Sequence, residues 1–139
     1  AVQGLDPDAR KRAEDVASRF AQAMNARTWQ TSRQQWREAL APTVSPELLK
    51  TLDVDRDWES DAQHRFVQAK ASTSVQVLES RAQTVQGERV DVALMVATET
   101  TGEDPWVTAP RTERPMTVVV DTTQNRVVEQ IDMTPHGGL

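Results

Sequence analysis

Few side chains in this sequence are placed to do chemistry, and Glu129 is the clearest. Between Arg126 and Met133, the residues Val127, Ile131 and Met133 recur at even spacing, and Glu129 shares their phase. Alternation along a strand would set that carboxylate on an apolar face. A carboxylate held in an apolar pocket has its pKa raised and serves as a general base. The plainer reading leaves Glu129 at a rim, neutralised by Arg81 or Arg126. Asp91 repeats the argument on a more mixed face. His64 and His136 lie far apart in the chain, whereas zinc requires three or four convergent ligands. We expect no metal and no cofactor. Cysteine is absent, which removes disulfides, thiolate sites and thiol catalysis. No glycine-rich phosphate loop and no Ser/His/Asp nucleophile arrangement is recognisable, so catalytic residues are expected to be none, with Glu129 the weak candidate.

Two further groups of residues could bind. The stretch Asp53 to Asp61 is the most acidic, and its alternate carboxylates resemble the opening of a calcium-binding loop. Trp58 stands where that loop needs glycine, and His64 where a bidentate glutamate should close it. A solvated connector fits better. Tyrosine is absent, so Trp29, Trp36, Trp58 and Trp106 dominate the aromatic content. Trp36 has helical core spacing. Trp58 and Trp106 sit in connector-like sequence beside charges and proline. Each must fold back on its own domain or dock against a partner chain, where tryptophan is favoured.

Net charge is −5. The one basic triplet, Arg10-Lys11-Arg12, is surrounded by Asp6, Asp8, Glu14 and Asp15. That describes a wet helix face rather than a phosphate-binding stripe, and no nucleic-acid partner is expected. At 139 residues, 37% hydrophobic and 27% charged, the chain reads as one domain over residues 1–139 with enough core to fold without staples. No apolar run approaches the ~18 residues of a membrane span.

The elements that must position these residues come in two blocks. Residues 6–52 are helical. Asp6-Pro7 is a cap followed by proline at the first helical position. Ala9, Ala13, Val16, Ala17, Phe20 and Met24 then draw one apolar stripe on a helix running to about Arg27. A short helix over Arg33 to Leu40 follows, capped by Thr31 or Ser32, with Trp36 and Leu40 on one face and Trp29 within reach of it. A third starts at Ser45-Pro46-Glu47, burying Leu48, Leu49 and Leu52. Residues 53–71 read as a connector, with Ala62 to Ala71 undecided between a short helix and a poor edge strand. Residues 72–135 read as four antiparallel strands. The first, about Thr73 to Gln86, changes phase between Val77 and Ala82, which suggests a bulge. Gly87 turns the chain. In the second, about Glu88 to Thr100, Val90, Val92, Leu94 and Val96 share a face. Thr101 to Pro105 is a turn. The third begins at Trp106, is interrupted by Pro110 and Pro115, and completes from Met116 to Asp121. The fourth is Arg126 to Met133. Residues 136–139 form a loose tail. Helices first and an antiparallel sheet after them mean α+β: a long helix and two short ones on a curved sheet of about four strands.

This order resembles the nuclear transport factor two-like, or cystatin-like, fold, a cone in which the sheet wraps the first helix. The texture of Ala13-Glu14-Asp15-Val16-Ala17-Ser18-Arg19-Phe20, Trp36-Arg37-Glu38-Ala39-Leu40-Ala41-Pro42, Ser45-Pro46-Glu47-Leu48-Leu49 and Val128-Glu129-Gln130-Ile131 is similar to extracytoplasmic domains of actinobacterial membrane-anchored proteins. These include conjugation and type IV secretion assembly subunits and mammalian-cell-entry-associated proteins. The resemblance implies a non-catalytic protein-interaction domain outside the cytoplasm, with protein partners or self-association. It also implies tethering by a membrane helix ahead of Ala1, the chain lacking an initiator methionine. The same cone hosts isomerases and dehydratases, so a cavity enzyme using Glu129 is the alternative. A secreted lipoprotein-like regulator is a further one.

Overall fold

The computed structural model describes residues 4–131. Met133 and His136, the end of the expected fourth strand and the tail over 136–139 lie outside them. The first helix, α1, spans Pro7–Asn25. The Asp6 side chain accepts from the Ala9 N–H at 2.9 Å, and Pro7 opens the helix. Of its stripe, Ala13, Val16, Ala17 and Phe20 are buried and Ala9 and Met24 partly so, with Ala21 buried beside them. Burying side chains of the Val and Phe size stabilises by about 1.5–3 kcal/mol each. The alanines let the helix axis approach the sheet closely.

A two-residue strand, β1 (Arg27–Thr28), adds a fifth strand absent from the sequence reading. It pairs Arg27 with Thr73 and Thr28 with Ser72. Two residues leave no periodicity to detect. Trp29 lies in the turn beyond it and is exposed, so it does not join Trp36. The helix α2 (Arg33–Leu40) carries a capping box in which Ser32 and Gln35 satisfy each other's backbone N–H groups. The helix α3 (Pro46–Arg56) starts at Ser45 with Pro46 and Glu47, as expected, but runs four residues past Leu52. Asp57 ends it at φ 51°. Then α4 (Asp61–Gln68), capped by Ser60, buries Phe66 against Ala69 and Ala71. Residues 53–71 are thus mostly helical rather than a connector. Phe66 is the one large buried side chain of α4, too little to show a stripe.

The strands β2 (Ser72–Gln86), β3 (Arg89–Thr101), β4 (Ala109–Asp121) and β5 (Arg126–Ile131) complete an antiparallel meander in the order β1-β2-β3-β4-β5. Register slips fall between Val77 and Glu79, Ala82 and Thr84, Thr98 and Thr100, and Val119 and Val120. Each extra residue sharpens the local twist, and together they curl the sheet around α1. In β2 the unpaired Leu78 is exposed, and the slip returns Ala82 to the core face opposite Val92. The core joins the α1 stripe to Val90, Val92, Leu94 and Val96 of β3, Val118 and Val120 of β4, and Val127 of β5. Gly87 turns β2 into β3 at φ 62°.

The third large strand does not begin at Trp106. Trp106 and Val107 belong to the preceding turn, where Asp104 accepts from the Trp106 N–H through Oδ1 and from the Val107 N–H through its carbonyl. Nor do Pro110 and Pro115 interrupt β4, which is continuous. The described residues of β5 pair only with Thr117–Asp121, so among them both prolines lie beyond the β4–β5 ladder, where no donor is needed. One hydrogen bond tying α1 to β2 escaped the sequence reading. Glu14, assigned there to the wet side, accepts from the Ala82 N–H beside the second bulge at 2.8 Å.

Candidate functional site

The helices α2 and α3 meet at a carboxylate. Asp53 has 4% of its surface exposed, although the sequence suggested a solvated acid. Arg33 donates Nε to both its oxygens, at 3.0 and 3.1 Å, and pairs Nη2 with Oδ2. Arg37 adds Nη1 at 2.7 Å, and Trp58 donates Nε1 to Oδ1 at 3.1 Å. The Arg33 hydrogen bonds hold the Asp53 pKa below the usual aspartate range, against the opposing effect of burial. With Asp53 consumed in this way and its surroundings helical, the acidic stretch does not form a calcium loop.

This network decides where Trp58 goes. Its ring packs edge-on against Trp36, centroids 5.6 Å apart, with the Arg56 guanidinium 4.2 Å above it. Trp58 therefore folds back on its own domain and stays half-buried. Trp106 is the opposite case. It is 88% exposed, on a turn braced from both sides. The Glu103 N–H donates to the Ala69 carbonyl at 2.7 Å, and Thr108 Oγ1 donates to the Pro105 carbonyl. Gly102 comes so close to Ala69 and Ala71 that a Cβ there would sit 3.1–3.2 Å from them. The two tryptophans share a sequence context, but Trp58 meets the Asp53 acceptor, the Trp36 ring and the Arg56 guanidinium, whereas Trp106 stays exposed.

Glu129 is not on the apolar face. The slip between Val119 and Val120 makes Val128 the extra residue, so Glu129 pairs with Val119 and Gln130 with Val118. The phase inverts after Val127. Glu129 is exposed on the outer face, and Gln130 takes the inward position that alternation had assigned to the acid. Asp91 pairs with Val119 from the other side, also outside. His64 lies on α4.

The cone nevertheless holds a concavity. An open cleft of about 910 Å³ lies between the ends of α1 and α3 and the concave side of β3, β4 and β5. Met24, Leu48, Leu52, Val96 and Met116 form its apolar walls, with Gln130 at one side and Glu129 not among its lining. Its charged members are Asp55, Arg56 and Arg114. Arg56 is half-buried, and its pKa is lowered to about 10, first by desolvation and then by the nearby Arg27 charge. Of the charged residues lining this cleft, the sequence drew attention to Asp55 alone, within the acidic stretch. Arg56 stands inside the acidic stretch that the sequence suggested was a solvated connector.

No family profile matches the chain, and no curated protein sequence matches it. Solved structures do. CagV, a VirB8 homologue of the type IV secretion system of Helicobacter pylori, superposes with a TM-score of 0.62 at 11% identity, covering 89% of this chain and 99% of that one. TraH from the Gram-positive conjugative plasmid pIP501 gives 0.59 at 6% identity, over 91% and 94%. The intermembrane space region of the chloroplast protein ARC6 gives 0.57 at 16% identity, over 88% and 94%. At such identities the likeness is one of fold. The chain has the nuclear transport factor two-like fold, in the form seen in VirB8-like and TraH domains.

Proposed function

We propose that this domain is a non-catalytic assembly module of a bacterial conjugation or type IV secretion complex, docking a partner protein through the Trp106 turn. The observation that carries the reading is Trp106 itself, almost wholly exposed on a turn braced by backbone hydrogen bonds. A large aromatic left wet on a rigid support is the usual anchor of a protein interface, because little ordering entropy remains to be lost on binding. The fold likenesses supply the setting, since CagV and TraH come from secretion and conjugation systems. The domain works on the extracytoplasmic side, held there by an apolar helix upstream of Ala1. Among the described residues no helix is long and apolar enough to cross a membrane.

A photo-crosslinking amino acid at position 106, in cells expressing the full-length protein, tests the docking surface. The reading requires a discrete protein adduct from position 106 that is missing from position 124, at a turn between β4 and β5. No adduct at 106, or the same adducts from both positions, would refute it. The upstream reading frame tests the tether, which requires about 20 consecutive apolar residues.

A further inference from the structure

We propose that the cleft beneath the sheet binds a small apolar molecule carrying one oxyanion head, a carboxylate or a phosphate, received by Arg56. This site is separate from the Trp106 surface and does not depend on it. Its volume, about 910 Å³, lies within the range of pockets for small ligands, roughly 300–1,000 Å³. Six aliphatic or thioether side chains, Ile131 among them, line it, which suits an apolar body.

The head is argued from donors that lack acceptors. The Arg56 guanidinium sits over the Trp58 ring and 5.0 Å from the centroid of Trp36. Its Nε–H is buried and meets no acceptor among the described residues, and none of their carboxylates lies within ion-pair distance of it. Asp53, whose charge acts on Arg56, is taken up by Arg33, Arg37 and Trp58. A cation withdrawn from water without a counter-ion is costly, and an oxyanion in the cleft would supply one in the geometry a guanidinium favours. Trp36 contributes a second unpaired N–H beside the cleft wall. Trp36 is 2% exposed, its ring lines the same cleft, and Nε1 has no acceptor among the described residues. Arg114, opposite Val96 and so on the concave face, adds positive charge at the rim. Asp55 opposes it, but is exposed to water, where its field is screened.

The test titrates the whole chain with decanoate, decyl phosphate and decylammonium, each below its micelle concentration. Backbone amide shifts and tryptophan fluorescence report binding, with Trp106→Phe removing the exposed emitter. Saturable one-to-one binding of at least one anion is expected, with shifts at Trp36, Val96 and Met116, and little response to the cation. Whichever anion binds tighter names the head. Arg56→Gln should weaken binding by about tenfold or more, as loss of a charge-assisted hydrogen bond implies, and Arg114→Gln, at an exposed position of β4, by a few-fold. The proposal fails if neither anion saturates or if decylammonium binds equally well. It also fails if shifts fall elsewhere, or if a folded Arg56→Gln or Arg56→Lys binds as wild type does.

Discussion

Replacing Asp53 by asparagine tests the junction that holds α2, α3 and Trp58 together. The substitution keeps the shape and an oxygen for Trp58 Nε1, but removes the charge that Arg33 and Arg37 face. Breaking a fully buried ion pair costs about 3–5 kcal/mol. Here the carboxylate is buried while the Arg33 and Arg37 side chains are 58% and 41% exposed, so water recovers part of the loss. Two charge-assisted partners at the low end of their range suggest about 2–3 kcal/mol. For a domain of this size that is a fall in Tm of roughly 10 °C. Urea unfolding followed by far-UV circular dichroism measures it. The pH dependence gives an independent check. The folded-state pKa of Asp53 is depressed, so its contribution is present above the ordinary aspartate pKa, near 4. It is lost as pH falls through the lower folded value. Wild type should therefore lose stability below about pH 4 more steeply than Asp53→Asn. A loss under ~0.5 kcal/mol at neutral pH, or parallel acid profiles for the two proteins, would refute the reasoning.

Other outcomes follow from single contacts. Phe20→Ala, at a fully buried position, should cost about 3–5 kcal/mol by cavity formation, measured as a lower urea midpoint with an unchanged slope. Glu14→Ala should cost about 1–2 kcal/mol, because the Ala82 N–H loses its acceptor beside a bulge. Hydrogen exchange at Ala82 should accelerate selectively. Trp106→Ala should leave stability within ~0.5 kcal/mol, since its ring is wet, while abolishing capture of the partner trapped from position 106.

Much of this protein was legible in its residues before any coordinates. The α1 stripe, the proline-marked helix starts, the Val90–Val96 alternation and the Gly87 turn are local signals. Each arises from a repeat of 3.6 or 2 residues, or from a backbone that one residue type favours. The phase break in β2 was legible too, because valines on one side of Leu78 and Ala82 on the other cannot share a face without an extra residue.

What the sequence could not settle depended on slips or partners distant along the chain. Glu129 and Gln130 exchanged faces because of one unpaired residue at Val128. Nothing local distinguishes Val127-Val128-Glu129 with a bulge from the same run without one, and a shift of one residue inverts every side chain after it. Asp53 looked solvated because Arg33 and Arg37, its partners, lie 16 to 20 residues earlier. That same meeting drew Trp58 inward and stacked Arg56 over it. Periodicity places a residue on its own element; which wet-looking charge becomes a buried hinge is decided when two elements close on each other.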